Sequence, residues 1–208
     1  MFRDRADAGE RLAEELKDRI ADDALVLGVP RGGVVVAAKV ARALGLELDL
    51  VVVRKIGAPG NPEYAVGAVD EDGNVIRGDT MYADEEYLRR AAEAGRTEIA
   101  RRLSAYRGDR PPARITGRAV VVVDDGIATG RTLLAAVASL RRRGAARIVV
   151  AAPVAARAAV DDLARVADEV IVLDEPPDFY AVGQFYHYFD QTSDAEVVDL
   201  LREAWAGT

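Results

Sequence analysis

"VVVVDDGIATGRT", residues 120–132, is the stretch on which the fold turns. Four consecutive β-branched residues, Val120 to Val123, read as a strand buried on both faces, as in parallel sheets covered by helices. The run stops at two adjacent carboxylates, Asp124 and Asp125. Neighbouring carboxylates repel each other and raise each other's pKa once desolvated, so cations or hydroxyl groups are expected to receive them. Behind the acids, Gly126, Ala128, Thr129, Gly130 and Thr132 form a turn that leads straight into a helix over Thr132 to Arg143. Such a turn aims backbone N–H groups, a positive helix end and two hydroxyls at one point, which is a cradle for a phosphate. It is not the nucleotide-binding loop of ATPases, because Gly126 and Gly130 enclose three residues rather than four and Arg131 stands where a lysine is needed. Nor is it the Asp-x-Asp of aspartate-dependent phosphatases, since its acids are adjacent.

Working outward, apolar strands alternate with helical spacing. Downstream, strands are expected at Arg118–Val123, Arg147–Ala152 and Glu169–Leu173, separated by the helix Thr132–Arg143 and a second over Ala155–Arg165. Upstream, "ALVLGVP" (Ala24 to Pro30) is a buried strand, and the next helix carries Val36, Val40 and Leu44 up to a glycine stop at Gly45. "LELDLVVVRK", Leu46 to Lys55, reads as one further strand. An amphipathic helix over Ala8–Ile20 precedes them. The alternation is interrupted between Ile56 and Arg77, where "YAVGAVDEDGNVI" looks like two short strands around an Asp-Gly turn. A long charged helix (Asp84–Tyr106), an exposed linker (107–117), an irregular aromatic tail (Asp174–Gln191) and a last helix (Asp194–Trp205) complete the chain. The expectation is an α/β fold: one domain over 1–208 with a core of about 24–173, a flap of about 56–82, and an aromatic tail and helix over 174–208. Its centre is a five-stranded parallel sheet flanked by helices, and in such sheets ligands bind at the carboxyl ends of the strands.

Composition narrows the chemistry. With no cysteine, disulfides and thiolate catalysis are excluded, and a single histidine, His187, cannot build a zinc site or a histidine-dependent triad alone. Any metal should be a hard ion held by oxygens. A net charge of −7 argues against general attraction to nucleic acid or an anionic membrane. The arginines at 141–143 and Arg147 suit the end of a helix dipole rather than a nucleic acid. No run approaches the ~18 apolar residues of a membrane span, and the charged N-terminus carries no export signal, so a cytoplasmic protein is expected.

The strand, the acidic pair and the "ATGRT" loop resemble the phosphoribosyl-diphosphate (PRPP) signature of type I phosphoribosyltransferases. "PRGG", Pro30 to Gly33, resembles the family's pyrophosphate loop as in the xanthine-guanine enzymes, and "RKIGAPG", Arg54 to Gly60, resembles the stretch after the second strand in adenine-type members. The resemblance implies a type I phosphoribosyltransferase-like fold with a small irregular hood and a short antiparallel flap. It also implies transfer of the 5-phosphoribosyl group of PRPP to a nitrogenous base, with release of diphosphate. Asp124 and Asp125 would then accept the 2′- and 3′-hydroxyls and steady the oxocarbenium-like charge of the ribose. The 5′-phosphate would sit on Ala128, Thr129, Gly130, Arg131 and Thr132, and the diphosphate on Arg31, Gly32, Gly33, Arg54 and Lys55. Mg²⁺ would be held mainly by substrate and water, with Asp124 and Asp125 as the protein oxygens that could reach it. For the base, Ile127, Phe179, Tyr180 and Tyr186 are candidates, with Phe185 and Tyr188 as further aromatic surfaces. Hypoxanthine-guanine members carry an aspartate where this chain has Ala128, and adenine-type members carry alanine there. A homodimer is expected, with the helix Asp84–Tyr106 as a solvated or dimer-forming face. Two alternatives use the same pocket: a PRPP- or nucleotide-sensing regulator without transferase activity, and a hydrolase of phosphoribosyl diphosphate with water as acceptor.

Overall fold

The structure, a computed structural model, describes residues 1–78 and 83–206. In chain order it contains α1 (Arg5–Leu16), β1 (Leu25–Gly28), α2 (Gly32–Leu44), β2 (Glu47–Leu50), β3 (Arg54–Ala58), β4 (Asn61–Val69), β5 (Val75–Arg77) and α3 (Glu85–Arg107). There follow β6 (Ala119–Val123), α4 (Arg131–Arg142), β7 (Arg147–Val154), α5 (Arg157–Leu163), β8 (Glu169–Asp174), a 3-10 turn at Val182–Phe185, and α6 (Asp194–Ala206).

The valine run is the centre of the molecule. β6 lies between β1 and β7 in a parallel sheet of order β2-β1-β6-β7-β8, with Gly28 opposite Val123 and Val123 opposite Ala151. Alternate side chains of a strand point to opposite faces. Accordingly Val121 and Val123 pack with Leu12 and Leu16 of α1, Val36 and Val40 of α2 and Leu201 of α6. Val120 and Val122 join Leu133, Val137 and Leu140 of α4 and Leu163 of α5 on the other side. This is why the run carries no polar residue until the sheet ends. α1 and α2 approach so closely that a Cβ on Gly9 would lie 2.7 Å from Lys39 Cβ and 2.8 Å from the Val36 carbonyl oxygen. Gly45 ends α2 at φ 67°, donating its N–H to the Ala41 carbonyl.

The stretch expected as one strand, Leu46 to Lys55, is two. β2 stops at Leu50, and Arg54 opens a separate antiparallel sheet of order β3-β4-β5. The break is made by charges from distant elements. Buried Arg107, at the end of α3, donates to both oxygens of Asp49 at 3.0 and 3.2 Å, to the Leu50 carbonyl at 2.9 Å and to Glu71 at 3.0 Å. Glu71 in turn accepts the Val52 N–H at 2.8 Å, so the chain leaves the main sheet here although it stays apolar. The small sheet has three strands rather than two. Its Asp72–Gly73 turn joins β4 to β5, and a second turn at Pro59–Gly60, with Gly60 at φ 74°, closes β3 on β4. It begins at Arg54 rather than Ile56, and residues 79–82 of the expected flap, like 207–208 at the end of the tail segment, lie outside the described residues.

The turn after β4 is tied to the core. Fully buried Asp70 accepts from Ser139 Oγ at 3.0 Å and Arg142 at 2.5 Å, while Arg143 lies 3.6 Å from Glu71. Arg141 pairs with Asp168 and Arg147 with Glu169. The basic cluster of the sequence is thus taken up by intramolecular ion pairs. Among the described residues no helix is long and apolar enough to cross a membrane.

Candidate functional site

At the carboxyl edge of the sheet, the loop after β1 and the loop after β6 lie in contact. The Val29 N–H donates to the Val123 carbonyl at 2.9 Å, and the following Pro30–Arg31 peptide bond is cis. A Cβ on Gly33 would lie 2.8 Å from the Val123 carbonyl oxygen and 2.9 Å from the Asp124 Cα, and one on Gly32 would lie 2.0 Å from Asp125 Oδ2. These glycines let α2 begin directly against the acidic pair. No other residue type fits there without displacing its neighbours.

The acids differ in their surroundings. Asp125 Oδ2 accepts from Arg5 Nε at 2.7 Å, the two side chains being 12% and 16% exposed, arginine first. Arg5 lies 3.9 Å from the centroid of the Phe189 ring and donates to the Asp190 carbonyl at 2.7 Å, so three contacts fix its guanidinium. Among the described residues Asp124 has no such cation at hydrogen-bond distance; its Oδ1 accepts the Asp125 N–H at 2.9 Å. Burial, and next the neighbouring Asp125 carboxylate, push the Asp124 carboxyl well above the ordinary range. The pair is therefore unequal: Asp125 is salt-bridged and Asp124 holds a proton more tightly than an exposed aspartate.

The two ends of the chain build the wall behind this pair. Phe2 pairs with Tyr186 as a parallel bridge, with the Phe2 N–H donating to the Phe185 carbonyl at 2.8 Å and the His187 N–H to the Phe2 carbonyl at 2.9 Å. Tyr186 Oη donates to the Asp125 carbonyl at 2.6 Å, and burial raises its pKa. Val182 presses on the loop so closely that a Cβ on Gly126 would lie 2.4 Å from Val182 Cγ1.

On the other side of the acids, Gly130 at φ 66° turns the chain into α4, and among the described residues no side chain caps that helix start. Ala128, Thr129 and Arg131 are exposed there and Thr132 is half-buried. A cleft of about 640 Å³ runs between Lys55 and Tyr64 of the small sheet, this loop, and Asp162 of α5. Lys55 stands on the side of β3 that faces the loop of Ala128, Thr129 and Arg131. Arg54 instead meets α3, 4.0 Å from Glu98 and with its side chain 49% exposed. Arg31 Nη1 lies 3.9 Å from Asp194, at the start of α6.

The base candidates scatter. Ile127 is 2% exposed, its side chain in the core and its N–H donated to the Val154 carbonyl, which corrects its reading as a base contact. Tyr186 is buried at 6%, packed on Phe2 and Phe189, which corrects its reading as an open stacking surface. Phe179 packs against Phe185 at 5.2 Å and lines a cleft of about 450 Å³ with Arg157 and Pro176. Tyr180 and Tyr188 project outward at 85% and 67% exposure. Arg5 is invisible from sequence, because nothing local marks an arginine whose partner lies 120 positions away.

Comparison with known proteins fits this geometry. Residues 3–190 match the phosphoribosyl transferase domain family. Over 98% of its length the chain is 44% identical to a Mycobacterium tuberculosis protein named as a phosphoribosyl transferase, 47% of which it covers. The chain thus spans about half the length of that curated relative. It is 33% identical over 141 residues to the bifunctional protein PyrR of Streptomyces coelicolor, covering 67% of this chain and 57% of that one. The crystal structure of the protein TT1426 from Thermus thermophilus superposes with a TM-score of 0.89 at 49% identity, covering 97% of this chain and 98% of that one.

Proposed function

This chain belongs to the phosphoribosyl transferase domain family, and on that premise we propose that it transfers the 5-phosphoribosyl group of PRPP to a nitrogenous base, releasing diphosphate in a Mg²⁺-dependent reaction. The observation that carries the proposal is the meeting, at the end of β6, of the Asp124–Asp125 pair with the uncapped start of α4 on one side and Gly32–Gly33 on the other.

The 5′-phosphate takes the N–H groups at the start of α4 with Thr129 and Thr132 as hydroxyl donors. Asp125, held by Arg5, accepts a ribose hydroxyl without having to reorient. Asp124 takes the second hydroxyl, and the cationic character that grows on the ribose as the bond to diphosphate breaks favours its ionised form. Burial, and next the Asp125 carboxylate, raise the Asp124 carboxyl above its ordinary value, and hydroxyl donors from the substrate favour its ionised form. Two adjacent carboxylates at the strand end are a donor set suited to Mg²⁺, which takes one or two carboxylates and keeps water and phosphate oxygens for the rest. When bound, that ion neutralises the leaving diphosphate. Arg31 and Arg54 supply the fixed positive charge for the same group.

For the base, Phe179 and Tyr180 remain the aromatic surfaces near the end of β8, and Ala128 offers no proton-transfer group. An acceptor with an amino substituent suits such a pocket better than a 6-oxopurine. The proposal extends to a cytoplasmic homodimer. The test is incubation with PRPP, Mg²⁺ and a panel of bases, following diphosphate release and nucleotide formation together. Nucleotide formed with one base supports the transferase. Release without any acceptor would replace it by the hydrolase, and binding without release by the sensor.

A further inference from the structure

The last turns of α3 carry charges that the proposed reaction leaves without a role. Glu98, Arg102 and Tyr106 follow one another at four-residue spacing, on one face of the helix. Glu98 accepts from Arg102 Nε at 2.8 Å and from Arg101 Nε at 2.8 Å, and lies 4.0 Å from Arg54. Tyr106 Oη donates to Asp194 at 2.7 Å, and Asp194 is the carboxylate 3.9 Å from Arg31. The Tyr106 hydroxyl, pushed up to about 12 by burial and its bond to Asp194, is influenced in the opposite sense by Arg102 and Arg31, both within electrostatic reach of it.

Resting on the proposed function, we infer that Arg102 of α3 joins Arg31 and Arg54 in one diphosphate cradle, and that Glu98 and Asp194 fill it as internal anions while it is empty.

The charge count supports this. Four guanidiniums, at 31, 54, 101 and 102, meet only two carboxylates here among the described residues, a cationic excess in a chain whose net charge is −7. A single carboxylate, Glu98, has three of the four around it. Exposure supports it too: the side chains of Arg31, Arg54 and Arg102 are 35%, 49% and 37% exposed, enough to be reached, and all three contact acids that a more highly charged ligand would displace. The residue pattern on β3 agrees with a division of labour. Adjacent strand residues point to opposite faces, so Arg54 serves the α3 side while Lys55 serves the phosphate loop.

The test is calorimetric titration of the full chain with inorganic diphosphate and Mg²⁺, and separately with a nucleoside monophosphate. Arg102→Gln, which keeps the aliphatic stem, should weaken diphosphate by about tenfold, the scale of one lost charge-assisted hydrogen bond, with monophosphate binding unchanged. Glu98→Gln should tighten diphosphate several-fold by removing the competing anion, an effect no general loss of structure would produce. Diphosphate affinity of Arg102→Gln within twofold of wild type, or weaker binding by Glu98→Gln, overturns the cradle. Should the wild-type chain bind no diphosphate at all, the proposed function falls and the cradle with it. Wild-type binding with an indifferent Arg102→Gln defeats the cradle alone.

Discussion

Replacing Gly32 by alanine adds one methyl group, and the structure says where it goes. The new Cβ would lie 2.0 Å from Asp125 Oδ2, 2.7 Å from Asp125 Cγ and 2.7 Å from Arg5 Nε, against an ordinary contact that begins at 3.4 Å. The carboxylate must retreat by more than an ångström, which takes its oxygen out of hydrogen-bond reach of Arg5. Losing that charge-assisted bond costs about 1.5–3 kcal/mol, and alanine in place of glycine in the first turn of a helix returns at most about 1 kcal/mol. With the full 1 kcal/mol returned, the net is a destabilisation of about 0.5–2 kcal/mol, or roughly 1–8 °C in melting temperature for a chain of this size. PRPP affinity should fall further, on the order of tenfold or more, because the acid proposed to hold a ribose hydroxyl is the one displaced. Scanning calorimetry and titration with PRPP read the two effects separately. A double-mutant cycle with Arg5→Ala should be strongly non-additive, since both changes break the same bond. Wild-type melting and wild-type PRPP affinity in Gly32→Ala would refute the reasoning.

Three more outcomes follow from the geometry. The Asp124 carboxyl is raised in the folded protein by burial and then by Asp125, so its contribution to stability is present below the ordinary carboxylate range and is lost as pH rises through the raised value. Asp124→Asn should therefore melt higher than wild type at neutral pH without ligand, with a flatter pH profile, while losing turnover; equal melting curves at every pH would contradict this. Arg107→Ala leaves Asp49 buried without its cation and Glu71 with Arg143 alone, 3.6 Å away, so urea unfolding should show a loss of about 3–5 kcal/mol, and a loss below about 1 kcal/mol would show that Asp49 finds another partner. Hypoxanthine and guanine should be poor acceptors, and Ala128→Asp should not by itself make them good ones; efficient nucleotide formation from either by the wild type would mean that another group handles the proton.

What could be read from the sequence follows from whether its cause was local. Val120 to Val123 announce a central strand because a run of branched apolar residues bounded by acids and glycine has few other structural uses, and the parallel sheet follows from its alternation with helices. Leu46 to Lys55 misleads for the same reason. Apolar character continues through Val53, and what ends β2 is Arg107 binding Asp49, 58 positions away, which leaves no trace in the strand itself. The Pro59–Gly60 turn does have a local signature, but the neighbouring Asp72–Gly73 turn accounts for the segment without it. In the tail, residue type reveals that aromatic rings are present and says nothing of their direction. Tyr186 turns inward because Phe2, from the far end of the chain, pairs with it, whereas Tyr180 lies outside that bridge and points to solvent. Arg5 is the same lesson at the acidic pair.

The pairing of β1 with β6 also governs when the site comes into being. The two strands are neighbours in the sheet, yet α2, β2, the whole small sheet and α3 lie between them in the chain. Closing so long a segment costs chain entropy before any contact rewards it, and parallel pairings of this kind form slowly. The helices on either side can gain their hydrogen bonds earlier from local sequence alone. Gly32 and Asp125 therefore meet late, after most of the helical signal is in place, and neither half of the chain alone holds both walls of the cleft. In refolding, recovery of PRPP binding should lag behind recovery of helical circular dichroism, with the interval set by the docking of β6 against β1.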